Sequence, residues 1–75
     1  MSKIKQCQYF RTNLGNRLKK YRYYSGLSQR ELAEIIGVTN VTLSNWEGGK
    51  TTPPLEQALH LAHTLDVSYE ELFGS

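Results

Sequence analysis

Apolar residues recur along this chain at helical spacing in five stretches, and no stretch shows the two-residue alternation of a strand. Leu14, Leu18 and Tyr21 stand at i, i+4 and i+7. They predict a first helix from about Asn13, a fair cap, to about Tyr24, where Ser25-Gly26 stops it. Leu32, Ala33 and Ile36 form the apolar face of a second helix, capped by Ser28, with Glu31 three residues on completing a capping box. Gly37 can take a positive φ where the chain must turn, and Thr39 then caps a third helix over about Asn40 to Glu47. The run Gly48-Gly49-Lys50-Thr51-Thr52-Pro53-Pro54 is too rich in Gly and Pro for regular structure. Pro54 suits the first turn of a fourth helix with the stripe Leu55, Ala58, Leu59, Ala62 and Leu65. Ser68 and Glu71 cap a short fifth helix carrying Tyr69, Leu72 and Phe73. The expected fold is all-α. Residues 1–12 are polar and basic without clear periodicity, which predicts an irregular basic extension ahead of a domain over 13–75.

The third helix has two unlike sides. At about 100° per residue, Leu43 and Trp46 fall on one side, whereas Asn40, Val41, Ser44 and Asn45 share an arc roughly opposite. An Asn amide can pair with N6 and N7 of adenine at once, and a Val methyl can press on the thymine methyl. A surface helix that serves only solubility more usually carries Lys and Glu. The second helix opens on Gln29, at an end whose free amides attract a phosphate oxygen.

Several spaced features then coincide: Gly26-Leu27-Ser28-Gln29, Glu31-Leu32-Ala33, Gly37-Val38-Thr39, Trp46-Glu47 and Gly49-Lys50. On these, the chain from Leu14 to Phe73 resembles the Xre family of phage repressor and Cro-like helix-turn-helix proteins. The resemblance implies a five-helix, lambda repressor-like DNA-binding domain. It makes Ala33 the small residue where two helices approach, Gly37 the turn, and Leu43 and Trp46 the apolar positions of the recognition helix. Asn40, Val41 and Asn45, with Ser44 beside them, become the base-reading residues. Gln29 takes the role of a phosphate clamp, and Arg30, Thr39, Lys50 and Thr51 flank it as phosphate-binding positions. Arg22 and Glu47 match an ion pair that ties the first helix to the end of the third, leaving the guanidinium to face a phosphate as well.

Charge agrees with that reading. Net charge is only +2, yet every charged residue before Glu31 is basic, and Glu56, Asp66, Glu70 and Glu71 make the last third acidic. One end of the chain attracts phosphate and the other does not.

Other classes find little support. Seventy-five residues make one small domain with no room for an enzyme domain, and no nucleophile motif or phosphate loop is present. No cofactor is implied. His60 and His63, at i and i+3, lack the further ligands of a metal site, and the lone Cys7 cannot form an intrachain disulfide. No apolar run has the length of a membrane span or a signal peptide, so no membrane association and a cytoplasmic location are expected. The five tyrosines invite stacking on single-stranded nucleic acid, but that needs a sheet or barrel the pattern does not supply.

The sequence thus implies a transcriptional regulator that binds double-stranded DNA, of repressor type, acting as a homodimer on a palindromic operator. RNA polymerase is a further contact if the bound regulator activates. Val67, Tyr69, Leu72 and Phe73 are the expected self-association surface. The rival is an antitoxin-like protein-interaction module that uses its acidic C-terminal helix to hold a protein partner and binds DNA secondarily.

Overall fold

A computed structural model describes residues 3–73, with side chains from 13 to 73. It contains five helices and, among the described residues, no strand: α1 Lys3–Tyr24, α2 Gln29–Ile36, α3 Asn40–Glu47, α4 Leu55–Thr64 and α5 Tyr69–Phe73. The last four lie where the pattern placed them. The first does not, because it begins at Lys3 rather than near Asn13. The irregular extension expected over 1–12 is therefore corrected to helix from Lys3 onward. Periodicity reports which face of a helix is buried, not whether the backbone is helical. The segment from Lys3 to Asn13 has no Gly or Pro and is rich in Lys, Gln and Arg, which lose little freedom on entering a helix.

Local chemistry sets the remaining bounds. Ser28 Oγ accepts from the Glu31 N–H at 3.0 Å while Glu31 Oε1 accepts from the Ser28 N–H at 2.8 Å. Ser68 and Glu71 repeat this box at the start of α5, both bonds being 3.0 Å. Thr39 Oγ1 accepts from the Thr42 N–H at 3.1 Å and so caps α3. Each such cap is worth about 1 kcal/mol. Between α2 and α3, Gly37 sits at φ 82°, and the N–H groups of Gly37 and Val38 both donate to the Ala33 carbonyl. That left-handed residue turns the chain within two positions of the next cap.

Leu14, Leu18, Leu32, Ala33, Ile36, Leu43, Trp46, Leu61, Ala62, Leu65 and Leu72 form one buried cluster. α3 packs on α1 and α2, α4 on α2 and α5, and α5 also on α1. Two expectations change here. In α4 the buried residues are Ala58, Leu61 and Ala62, with Leu65 just beyond, while Leu55 and Leu59 are exposed at 63% and 51%. Both sets satisfy helical spacing, so only packing against α2 and α5 selects between them. In α5, Leu72 is fully buried and Phe73 packs against the core, as does Val67 just before the helix. Most of the apolar surface expected for self-association is consumed inside the domain. Tyr69 stays exposed, its ring stacked on Phe73 with centroids 4.7 Å apart.

One close approach was not legible in advance. A Cβ on Gly15 would fall 2.8 Å from the Trp46 carbonyl oxygen and closer still to that of Glu47, so α1 and the end of α3 touch backbone to backbone. No described helix is long and apolar enough to cross a membrane.

Gly15→Ala should destabilise the domain in urea denaturation, although Ala is favoured over Gly within a helix by roughly 0.5–1 kcal/mol. Stabilisation by that amount would show that α3 has room to move away. The second prediction concerns acid. The hydrogen bond from the Ser28 backbone N–H, and then its hydroxyl, hold the Glu31 carboxyl below its ordinary value. Its stabilising effect is therefore complete above the ordinary glutamate range and is lost as pH falls through the lowered value. Glu31→Gln should flatten this part of the acid limb in a plot of Tm against pH.

Candidate nucleic-acid interface

α3 is a two-sided element whose buried back is made by Leu43, Trp46 and Glu47. Its outer arc carries Asn40, Val41 and Ser44, all exposed, and Asn45, half-buried. Val41 is 68% exposed, so its methyl groups are accessible on the outer arc. The Asn45 carbonyl accepts from the Lys50 and Thr51 N–H groups at 2.9 and 3.4 Å, which folds the loop after α3 back onto the helix end.

A buried ion pair fixes the same end of this element. Arg22 Nε donates to Glu47 Oε2 at 2.6 Å and Nη2 to Oε1 at 3.1 Å, with both side chains almost wholly out of solvent. Arg22 Nη1 donates to the Leu27 carbonyl at 3.0 Å, and Gln29 Nε2 donates to Glu47 Oε1 at 3.2 Å. Three helices thus meet at one carboxylate. Glu47 closes α3, where the helix dipole disfavours negative charge, so the guanidinium offsets the dipole as well as the burial. Hydrogen bonding to Glu47 raises the Arg22 pKa above its ordinary value, against the desolvation that lowers it. Arg22 was expected to face a phosphate too. Its side chain is buried, bonded to protein partners through all three nitrogens, and ties α1 to the end of α3.

The remaining positions are spread around this centre. Ala33 is buried, and Gly37 and Thr39 occupy the turn into α3. Arg30 is exposed and loosely paired with Glu34 at 3.7 Å, and Lys50 and Thr51 are exposed in the loop after α3. Gln29 and Ser44 come together with Lys19, Arg22, Tyr23, Glu47 and Gly48 around an open cleft of about 370 Å³. Arg30, Thr39, Lys50 and Thr51 do not line it. Lys19 and Tyr23 were not singled out as site residues from sequence. Their spacing of four on one helix was a usable signal, since it places both on the face that carries Arg22 nearby. Among the described residues no three His, Cys, Asp or Glu side chains could share a metal ion; the side chain of Cys7 lies outside the described residues.

A short helix packed by its back, polar in front, and reached through a tight turn from a second helix defines the helix-turn-helix class. Residues 15–74 match the family model described as the helix-turn-helix domain, and the chain belongs to that family. It is 37% identical over 62 residues to the HTH-type transcriptional regulator ImmR of Bacillus subtilis, covering 83% of this chain but only 49% of ImmR. The chain thus spans about half the length of that relative. Among solved structures, the restriction-modification controller protein C.AhdI of Aeromonas hydrophila superposes with a TM-score of 0.77 at 35% identity, covering 83% of this chain and 94% of that one. The P22 c2 repressor, solved in complex with a synthetic operator, superposes with a TM-score of 0.77 at 33% identity, covering 83% and 96%.

Breaking the ion pair from one side should be costly. Glu47→Ala leaves a buried guanidinium without its carboxylate and should lower stability by about 3–5 kcal/mol in urea denaturation. The paired replacement Arg22→Met with Glu47→Leu should recover most of that loss, because the two apolar chains leave no buried charge. A single replacement that costs nothing would show that Arg22 finds solvent on its own.

Proposed function

We propose that this chain is a sequence-specific regulator of transcription that binds double-stranded DNA through α3 and represses by occupying a promoter. The observation that carries the proposal is the exposed arc Asn40, Val41, Ser44 and Asn45 on a helix whose back is locked into the core. Amides and a methyl group at those positions match the donor, acceptor and methyl pattern of A·T pairs in a major groove. The family membership supports the same reading, as does the operator complex of the P22 c2 repressor. Helix-turn-helix regulators are not a class of enzymes. Gln29, Arg30, Thr39, Lys50 and Thr51 are assigned to the phosphates that flank the reading helix. Gln29 does so while one of its amide hydrogens is held by Glu47.

A helix of eight residues reaches only a few base pairs, so we assign a homodimer on a palindromic site, where paired half-sites multiply the discrimination. The protein-interaction reading loses ground because Leu72, an apolar residue of the acidic C-terminal helix, is buried within the domain.

Asn40→Ala and Asn45→Ala should each cost about 1–3 kcal/mol of specific binding while leaving non-specific affinity and Tm unchanged. Selection of sites from random duplex DNA, followed by competition binding, reads this directly. A symmetric enriched motif whose preference both variants weaken is the expected result. Retention of full preference by both variants would remove α3 as the reader.

A further inference from the structure

α3 offers a duplex only one kind of bidentate partner, the Asn amide. Its sequence, Asn-Val-Thr-Leu-Ser-Asn-Trp-Glu, holds no Lys or Arg to pair with O6 and N7 of guanine. Its single acid, Glu47, is buried and bonded to Arg22 and Gln29, so no carboxylate of α3 is left for the N4 amino group of cytosine. The Thr42 hydroxyl is paired with that of Thr39 at 2.8 Å. What the outer arc presents is the amides of Asn40 and Asn45, the Ser44 hydroxyl and the Val41 methyl groups. An Asn amide is the complement of adenine, its oxygen accepting from N6–H and its nitrogen donating to N7.

In a base-paired adenine one N6 hydrogen is bonded to thymine, and the other lies in the major groove beside N7. A methyl group on N6 takes the place of that second hydrogen, so it removes the donor and stands where the amide oxygen belongs. A mobile reader could draw back to admit it. α3 cannot, because its first turn is capped by Thr39, its last carbonyls rest on Gly15, and Glu47 is clasped by Arg22. The backbone at Asn45 is held further by the Lys50 N–H, which donates to its carbonyl at 2.9 Å. We propose that this domain senses the methylation state of its DNA: Asn40 and Asn45 accept the unmodified adenine edge, and an N6-methyl group on an adenine that faces either amide expels α3 from the groove. The proposal rests on the reading of α3 as a DNA-binding helix. It adds a control that needs no effector pocket in the protein, since the covalent mark is carried by the DNA.

The test uses the intact chain and a duplex selected from random sequence, at one salt concentration, with N6-methyladenine placed at one adenine of a half-site at a time. At the adenines that face Asn40 or Asn45 the mark should lower affinity by roughly 5- to 150-fold, the size of one amide-to-adenine pair. In a scrambled duplex it should change nothing. Asn40→Ala and Asn45→Ala separate a lost amide contact from an effect of the methyl group on the duplex itself. Each variant should bind the unmodified site more weakly and should show no further loss from the mark at the adenine its amide faced. Circular dichroism confirms that both variants are folded. A selected motif with no fixed adenine, full affinity for every methylated site, or a penalty as large in both variants as in the wild type overturns the sensing while leaving sequence-specific binding in place. A wild-type chain with no preference for any duplex overturns both.

Discussion

The end of α3 is held against α1 by two contacts that must be satisfied together. Backbone carbonyls of Trp46 and Glu47 lie against Gly15, where any side chain would intrude, and the Glu47 carboxylate is clasped by Arg22 two turns further along α1. The first contact sets the distance between the helices. The second sets rotation and translation, because a guanidinium and a carboxylate pair well only in a planar, forked arrangement. Neither contact needs to contribute much net stability. Desolvating two ions offsets much of what their attraction gains, and Gly15 weakens its own helix slightly. Their effect is to leave α3 one orientation rather than several.

That constraint explains where the core ends. Leu43 and Trp46 supply the apolar anchorage of α3, yet an eight-residue helix with two large anchors could still roll about its axis. The Gln29 amide, donating to the same carboxylate from the first turn of α2, closes the arrangement from a third side. The capped turn at Gly37 and Thr39 fixes the opposite end. Every polar residue on the exposed arc is thus displayed on a rigid element, although the arc itself makes few contacts with the rest of the protein.

The sequence exposed some of this and concealed the rest for identifiable reasons. Caps at Ser28, Thr39 and Ser68 were legible because side-chain-to-backbone bonds span only three residues and leave a fixed spacing. The alternation between Leu43 and Trp46 on one side and Asn40, Val41 and Ser44 on the other was legible from angle alone. The two possible stripes on α4 were not separable, because Leu55, Ala58, Leu59 and Ala62 have the same periodicity as Ala58, Leu61, Ala62 and Leu65. The Gly15 contact was hidden for a different reason. A glycine within a helix reveals nothing about which carbonyls, more than thirty positions away, will come to rest on it. The Arg22 to Glu47 pair was visible through family resemblance, but its burial was a matter of three-dimensional packing.

The charge asymmetry of the chain acquires a location once the helices are placed. Lys19 lines the cleft beside α3, Arg30 stands in the first turn of α2 and Lys50 in the loop after α3, while Glu70 and Glu71 lie on α5, which packs against α1 and α4. On the proposed reading, attraction to a polyanion is strongest around α1, α2 and the loop after α3 and weakest at α5. Non-specific attraction and sequence reading are then separable: the cations govern how a duplex approaches, and the uncharged residues Asn40, Val41, Ser44 and Asn45 govern which duplex is kept.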